Sequence, residues 1–191
     1  MKSTFKTVAI FLFATVLFSC QKADIETAQK PSDPNTGQGI FGRNGPGDCT
    51  PKIVSLIAGQ HINAGTVSVT NDDDFIYVTY TTANGYTIKQ THLYVGKCAL
   101  IPVNRSGNAV PGQFPYASAH SNITSYTYLV PISAIIAGNC GCIAAHAVVQ
   151  KLDGNGHVID EQTAWGNGTR INPRGGSWGM KFEYCSCSQG N

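Results

Sequence analysis

The chain has 191 residues, of which 13 are Lys or Arg and 11 are Asp or Glu, and its formal net charge is +2. That length suits one domain with a sizeable core, and so sparse and balanced a charge leaves no electrostatic footprint for a nucleic acid. Seven cysteines in a Gly-, Thr- and Tyr-rich chain suit an exported all-β protein.

The chain opens MKSTFKTVAIFLFATVLFSC. Lys2 and Lys6 precede an uncharged, almost wholly apolar run from Val8 to Phe18. This is the layout of an export signal, and it is too short to span a bilayer as a helix. Leu17-Phe18-Ser19-Cys20 resembles the lipobox of bacterial lipoproteins, with Phe18 bulkier than the usual residue. The resemblance implies cleavage after residue 19, palmitate-type acylation of Cys20 and attachment to a membrane by lipid. The competing reading is an ordinary signal peptide cut near Ser19. Gln21 is not the aspartate of inner-membrane retention, and CQKADIE resembles the short tags of surface-exposed lipoproteins, which implies the outer membrane. Without Lys2 and Lys6 the basic and acidic residues are equal in number.

Residues 20–48 read as a lipidated flexible tether, dense in Gly, Pro, Asn and Asp. Their G-x-G-x-x-G, Gly37 to Gly42, lies among Pro31, Pro34 and Pro46 and lacks the strand–helix setting of a nucleotide loop. The folded domain is expected over residues 49–191. TVSVT (66–70) and FIYVTYTTA (75–83) have strand composition, and Asn84-Gly85 joins the latter to YTIKQTHLYVG (86–96) in an expected hairpin. SYTYLVPI (125–132) is another strand, and ISAIIAG (132–138) a single helical turn. A second hairpin is expected from CIAAHAVVQK (142–151) through DGNG to HVIDEQTAW (157–165), followed by WGMKFEYC (178–185). The expected fold is all-β: an antiparallel β-sandwich or jelly roll of seven or eight strands, stapled by disulfides.

Six cysteines remain after Cys20, and an exported domain favours three bridges among them. Within each C-x-C pair, extended chain sets both side chains on one face about 6.6 Å apart, long for a direct bond. The favoured pairing is therefore Cys98 with Cys140 or Cys142, Cys49 with Cys185 or Cys187, and the remaining two joined. A zinc site of Cys140, Cys142 and His146 is the rival, disfavoured by its C-x-C spacing. His61, His92 and His146 would bind a metal only if they converged. The weak metal candidates are His92, His146 and Asp153, so no metal site is assigned. NDDDF (71–75) and DGNGHVIDE (153–161) offer oxygens to calcium, but the second has Val158 and Ala164 where a calcium loop needs Gly and Glu. Both read better as turns, and no cofactor is assigned.

AWGNGTRINPRGGSWG (164–179) is the most suggestive segment. Trp165 and Trp178 bracket Asn167, Arg170, Asn172 and Arg174. Indole faces stack on sugar rings, and amides and guanidinium groups bond hydroxyls or carboxylates, so these six residues are candidates for a glycan or protein ligand. The alternative is that both tryptophans plug the core. There is no G-x-S-x-G or H-E-x-x-H, and Asp160 and Glu161 alternate across a strand, so no catalytic residue is assigned. The sequons at Asn104, Asn122 and Asn167 carry no meaning on a bacterial lipoprotein.

The segments THLYVG, CIAAHAVV, QTAWGNGTR and WGMKFEYC resemble a poorly characterised β-rich module of bacterial secreted and surface proteins, over residues 53–187. The expected function is a non-catalytic binding or adhesion module on a cell-envelope lipoprotein. The second reading is a structural component of an outer-membrane or surface assembly, and the third a hydrolase.

Overall fold

The computed structural model describes residues 50–135 and 140–187. The signal segment, Cys20, the tether and Cys49 lie outside the described residues. The described chain is all-β and antiparallel, with three single 3₁₀ turns at Cys98–Leu100, Pro111–Gln113 and Ile132–Ala134. The strands are β1 (Lys52–Ala58), β2 (Ile62–Asn71), β3 (Phe75–Thr82), β4 (Thr87–Gly96), β5 (Tyr116–Ile123) and β6 (Ser125–Pro131). They continue as β7 (Cys140–Leu152), β8 (Val158–Gly166), β9 (Thr169–Arg170) and β10 (Met180–Cys185).

One sheet runs in the order β5-β4-β7-β8-β1-β2-β3-β6. The two layers expected of a sandwich are made by this single sheet rolled into a near-barrel. Its two ends meet through side chains. Thr91 on β4 lies 2.8 Å from the Tyr128 hydroxyl on β6, and Tyr80 on β3 donates to the His92 carbonyl on β4 at 3.1 Å. The roll needs bends. At Gly65 (φ +147°) an added Cβ would lie 2.0 Å from the Thr81 carbonyl oxygen, beside a bulge in the β1–β2 register. Inside the roll, Leu56, Val67, Val78, Tyr80, Ile88, Leu93, Ile143 and Val149 are fully buried.

The Asn84-Gly85 signal was half right. Both residues have positive φ, +57° and +79°, and Tyr86 N–H donates to the Ala83 carbonyl, so the turn forms. The strands it joins do not pair with each other. β3 lies between β2 and β6, and β4 between β7 and β5. The turn therefore carries the chain across the roll, anchored by Asn84 Nδ2 donating to the Asn63 carbonyl. The β7–β8 hairpin pairs as expected, from His146↔Trp165 to Leu152↔Val158. Asp153 Oδ1 accepts the N–H groups of Asn155 and His157 in its turn, and Asp72 Oδ1 accepts those of Asp74 and Phe75 in the β2–β3 turn. Strands β1, β5 and β9 were not anticipated.

The bridges Cys98–Cys142 and Cys140–Cys185 are present. Both fall within the favoured pairing, and they displace the zinc reading because neither Cys140 nor Cys142 keeps a thiol. Cys187 is also disulfide-bonded. The expected partnership of Cys49 lies outside the described residues.

Strand β7 is buried on both faces, which explains its run of small residues. Ile143, Ala145, Ala147 and Val149 face the interior, while Cys142 and Ala144 belong to a second cluster on the outer side, with His146 buried against its Trp165. That outer cluster positions the candidate site.

Candidate binding site

Three neighbouring strands carry the floor of the site. The register sets His92 of β4 opposite His146 of β7, and His146 opposite Trp165 of β8; Tyr94 stands opposite Ala144. Cross-strand neighbours on one face are close enough for rings to touch. His146 and Trp165 meet edge to face at 4.8 Å between centroids, and the Nδ1 atoms of His146 and His92 are 3.3 Å apart. Burial, with His92 as a second cause, pushes the His146 pKa down to about 3; burial also lowers that of His92.

Two loops cover this floor because the sheet forks there. The edge of β7 that pairs with β8 over residues 146–152 pairs with β10 over residues 140–143. Residues 167–179 cross the gap and contribute Ile171 and Trp178 to the outer cluster. From the other side, the segment after β4 contributes Ile101 and Phe114, with the Phe114 ring 6.2 Å from Trp165 and 6.1 Å from Tyr94. The Cys98–Cys142 bridge ties this segment to the floor.

Asparagines lock the two loops together. Asn172 Nδ2 donates to the Ser106 carbonyl at 2.8 Å and to Asn108 Oδ1 at 2.9 Å, and Asn172 Oδ1 accepts the Arg174 N–H. Asn108 Oδ1 also accepts the Ser177 N–H, while Asn104 Oδ1 accepts those of Ser106 and Asn108. Gly107 and Gly176 supply the positive φ (+80° and +93°) these tight turns need.

The six candidate residues divide between two clefts. Trp165, Asn167, Arg170 and Trp178 line the first, of ≈ 380 Å³, together with His61 and Met180. Asn172 and Arg174 line the second, of ≈ 390 Å³, together with Arg105, Ser106 and Lys181. Trp165 is 5% exposed and serves the outer cluster as a packed plug, whereas Trp178 is half-buried with part of its indole open to the first cleft. Asn172 is buried and its amide is committed to the loop clamp; Asn167, Arg170 and Arg174 are exposed.

The metal candidates are dispersed. His61 lines the first cleft, His92 pairs with His146 on the floor, and Asp153 holds the β7–β8 turn with His157. Among the described residues no three His, Cys, Asp or Glu side chains group to hold a metal ion.

Sequence reasoning did not single out Arg105, Lys181 or the asparagine clamp. The Asn-x-Ser-Gly-Asn spacing of residues 104–108 was the available signal, since it suits a loop built on side-chain-to-backbone bonds. The class these features define is a disulfide-stapled, rolled antiparallel sheet with a capped outer face. No protein-family model, curated protein or solved structure matches the chain.

Proposed function

We propose that the protein is a cell-envelope lipoprotein, anchored through acylated Cys20 to the outer membrane and surface-exposed, that displays a non-catalytic binding module. The observation that carries the binding reading is the first cleft. A half-buried indole, Trp178, stands beside the exposed amide of Asn167 and the guanidinium of Arg170 in a concavity of ≈ 380 Å³. That combination of an apolar face with a few polar groups suits a sugar ring or an aromatic-binding protein segment. Rigid loops favour it too, because the asparagine clamp and the Cys98–Cys142 bridge reduce the ordering cost of binding.

The test separates the two tryptophans. Trp178→Ala is expected to weaken ligand binding at least tenfold, about 1.4 kcal/mol, with a small change in melting temperature. Trp165→Ala is expected to destabilise the fold by about 3–5 kcal/mol, as removal of a packed aromatic does. Binding screened on glycan and surface-protein panels checks this, and retention of all binding by Trp178→Ala would defeat the reading. The anchor has its own test. Cys20→Ser is expected to abolish incorporation of an alkynyl palmitate analogue and to release the protein from the membrane fraction; continued labelling would count against acylation at Cys20.

A structural role in an envelope assembly is the second reading. It is favoured by the exposed apolar side chains Phe75 and Leu129, which share the outer face of the neighbouring strands β3 and β6, as surfaces that another chain covers do. Co-purification with envelope proteins, combined with a blank ligand screen, selects it. Hydrolysis is the weakest reading, and turnover of a chromogenic glycoside or ester would revive it.

A further inference from the structure

The second cleft holds chemistry that the Trp178 reading does not use. Arg105, from the loop after β4, meets Arg174 and Lys181, from the segment around β9 and β10, in one concavity of ≈ 390 Å³. No Asp or Glu among the described residues lines it. The ion pairs among the described residues are Lys89–Glu161 and Asp153–His157, so none of the three cations has an acidic partner among those residues. Glu183 lies two positions beyond Lys181 on β10 and does not line the cleft. The other described carboxylates cluster at the β2–β3 turn (Asp72, Asp73, Asp74) and on the β7–β8 hairpin (Asp153, Asp160, Glu161). Three converging cations without a counter-charge hold a positive potential that an anionic ligand relieves.

The cleft is built. Arg174 follows Asn172, whose side chain accepts the Arg174 N–H while its amide donates across to Ser106, the neighbour of Arg105. The cleft also adjoins the first one. Met180↔Arg170 and Lys181↔Thr169 pair across the β9–β10 ribbon, with Arg170 and Met180 lining the first cleft and Lys181 the second. A chain lying over this ribbon would set a ring against Trp178 and a charged substituent against Lys181, Arg105 and Arg174.

We infer that the second cleft is an anion subsite, and that the ligand is a polysaccharide whose sugars carry carboxylate or sulfate groups. The guanidinium groups of Arg105 and Arg174 suit the forked geometry that both anions share. This deepens the binding-module reading and rests on it for the adjoining sugar contact. A concave site favours a polysaccharide over a flat bilayer surface, although Leu100 and Val103 stand exposed close by.

The test uses the full detergent-solubilised chain and two matched probe pairs: dextran sulfate against dextran, and polygalacturonate against its methyl ester. Wild type is expected to bind at least one charged polymer about tenfold or more tightly than its neutral match, with binding that weakens as salt rises. The pair that shows the preference tells sulfate from carboxylate. Arg105→Gln/Arg174→Gln is expected to remove that preference, and Lys89→Gln, which alters a charge paired elsewhere, to keep it. Equal binding of charged and neutral polymers overturns the anion subsite, as does an equal loss in Lys89→Gln. Binding to phosphatidylglycerol vesicles but to no polymer, lost in the Arg variant, overturns the polysaccharide assignment. Trp178→Ala keeps the two readings distinguishable. If it leaves polymer binding intact while the Arg variant abolishes it, the aromatic reading fails and the anion subsite stands. If it abolishes binding of every polymer while wild type shows no charge preference, the reverse holds.

Discussion

Lowering the pH from 6.5 to 4.5 is expected to cost the folded protein about 2–3 kcal/mol of unfolding free energy, through His146. In the unfolded chain this imidazole titrates near its ordinary value of 6.5; in the fold it is held down at about 3. Below 6.5 the unfolded state therefore binds a proton that the folded state refuses, and stability falls by about 1.4 kcal/mol per pH unit. It is fully present above the unfolded value and declines until the folded value is reached. The cause is burial first and the neighbouring His92 second. With the two Nδ1 atoms 3.3 Å apart, one neutral ring donates to the other, and protonating both would set two donors face to face. Trp165 closes the remaining approach with its ring. His92 and His120, both lowered by burial, act in the same direction. The carboxylates with lowered pKa values, Asp72, Asp153 and Asp160, add their own losses only below about 4, the ordinary carboxylate range. Denaturant titrations between pH 4.5 and 6.5 thus isolate the imidazoles. His146→Phe is expected to flatten the slope by close to one proton, and an unchanged slope would show that the ring is freely protonated in the fold.

The same floor shows what the sequence could and could not reveal. Residue type and bounding turn residues were enough for β2, β3, β4, β6, β7, β8 and β10, because runs rich in Val, Ile, Thr and Tyr have few other homes. The strand β5, YASAHSNI, escaped because its alternation is carried by small and polar residues on an edge, where burial is incomplete. Asn84-Gly85 supplied a true turn and a false pairing. A local signal sets φ, but which strand lies alongside is decided by the whole sheet, and β3 and β4 each already had two better partners. The candidate site was half legible for a similar reason. Trp178 and Arg174 stood out by chemistry alone. Arg105 and Lys181 acquire meaning only because the fork beside β7 and the asparagine clamp bring residues 105, 174 and 181 to one cleft.

Cysteine geometry ties stability to that cleft, and removing the Cys98–Cys142 bridge is expected to affect both. The two cysteines are 44 residues apart in sequence, and closing a loop of that length lowers the entropy of the unfolded chain by an amount that stabilises the fold by about 4 kcal/mol. Cys140–Cys185 closes a loop of 45, so its removal is expected to cost a similar amount. Their functional consequences should differ. Cys98 begins the segment that carries Ile101 and Arg105 over the floor, and Cys142 is part of the floor. Without that bond the segment keeps Phe114 and the asparagine clamp, but its start is free to lift, and the cations lose their fixed spacing. The other bridge joins β7 to β10, which also pair over Phe182↔Ile143 and the two positions that follow, with Phe182 and Tyr184 packed inside the roll. Cys98→Ala/Cys142→Ala is therefore expected to lose both stability and charged-polymer binding, and Cys140→Ala/Cys185→Ala to lose stability while binding at temperatures well below its melting point. Denaturant unfolding and polymer titration on the two double variants read this directly. Equal binding loss in both would mean that the bridges act on the cleft only through global stability; undiminished binding in the first would mean that the asparagine clamp alone holds the cations in place.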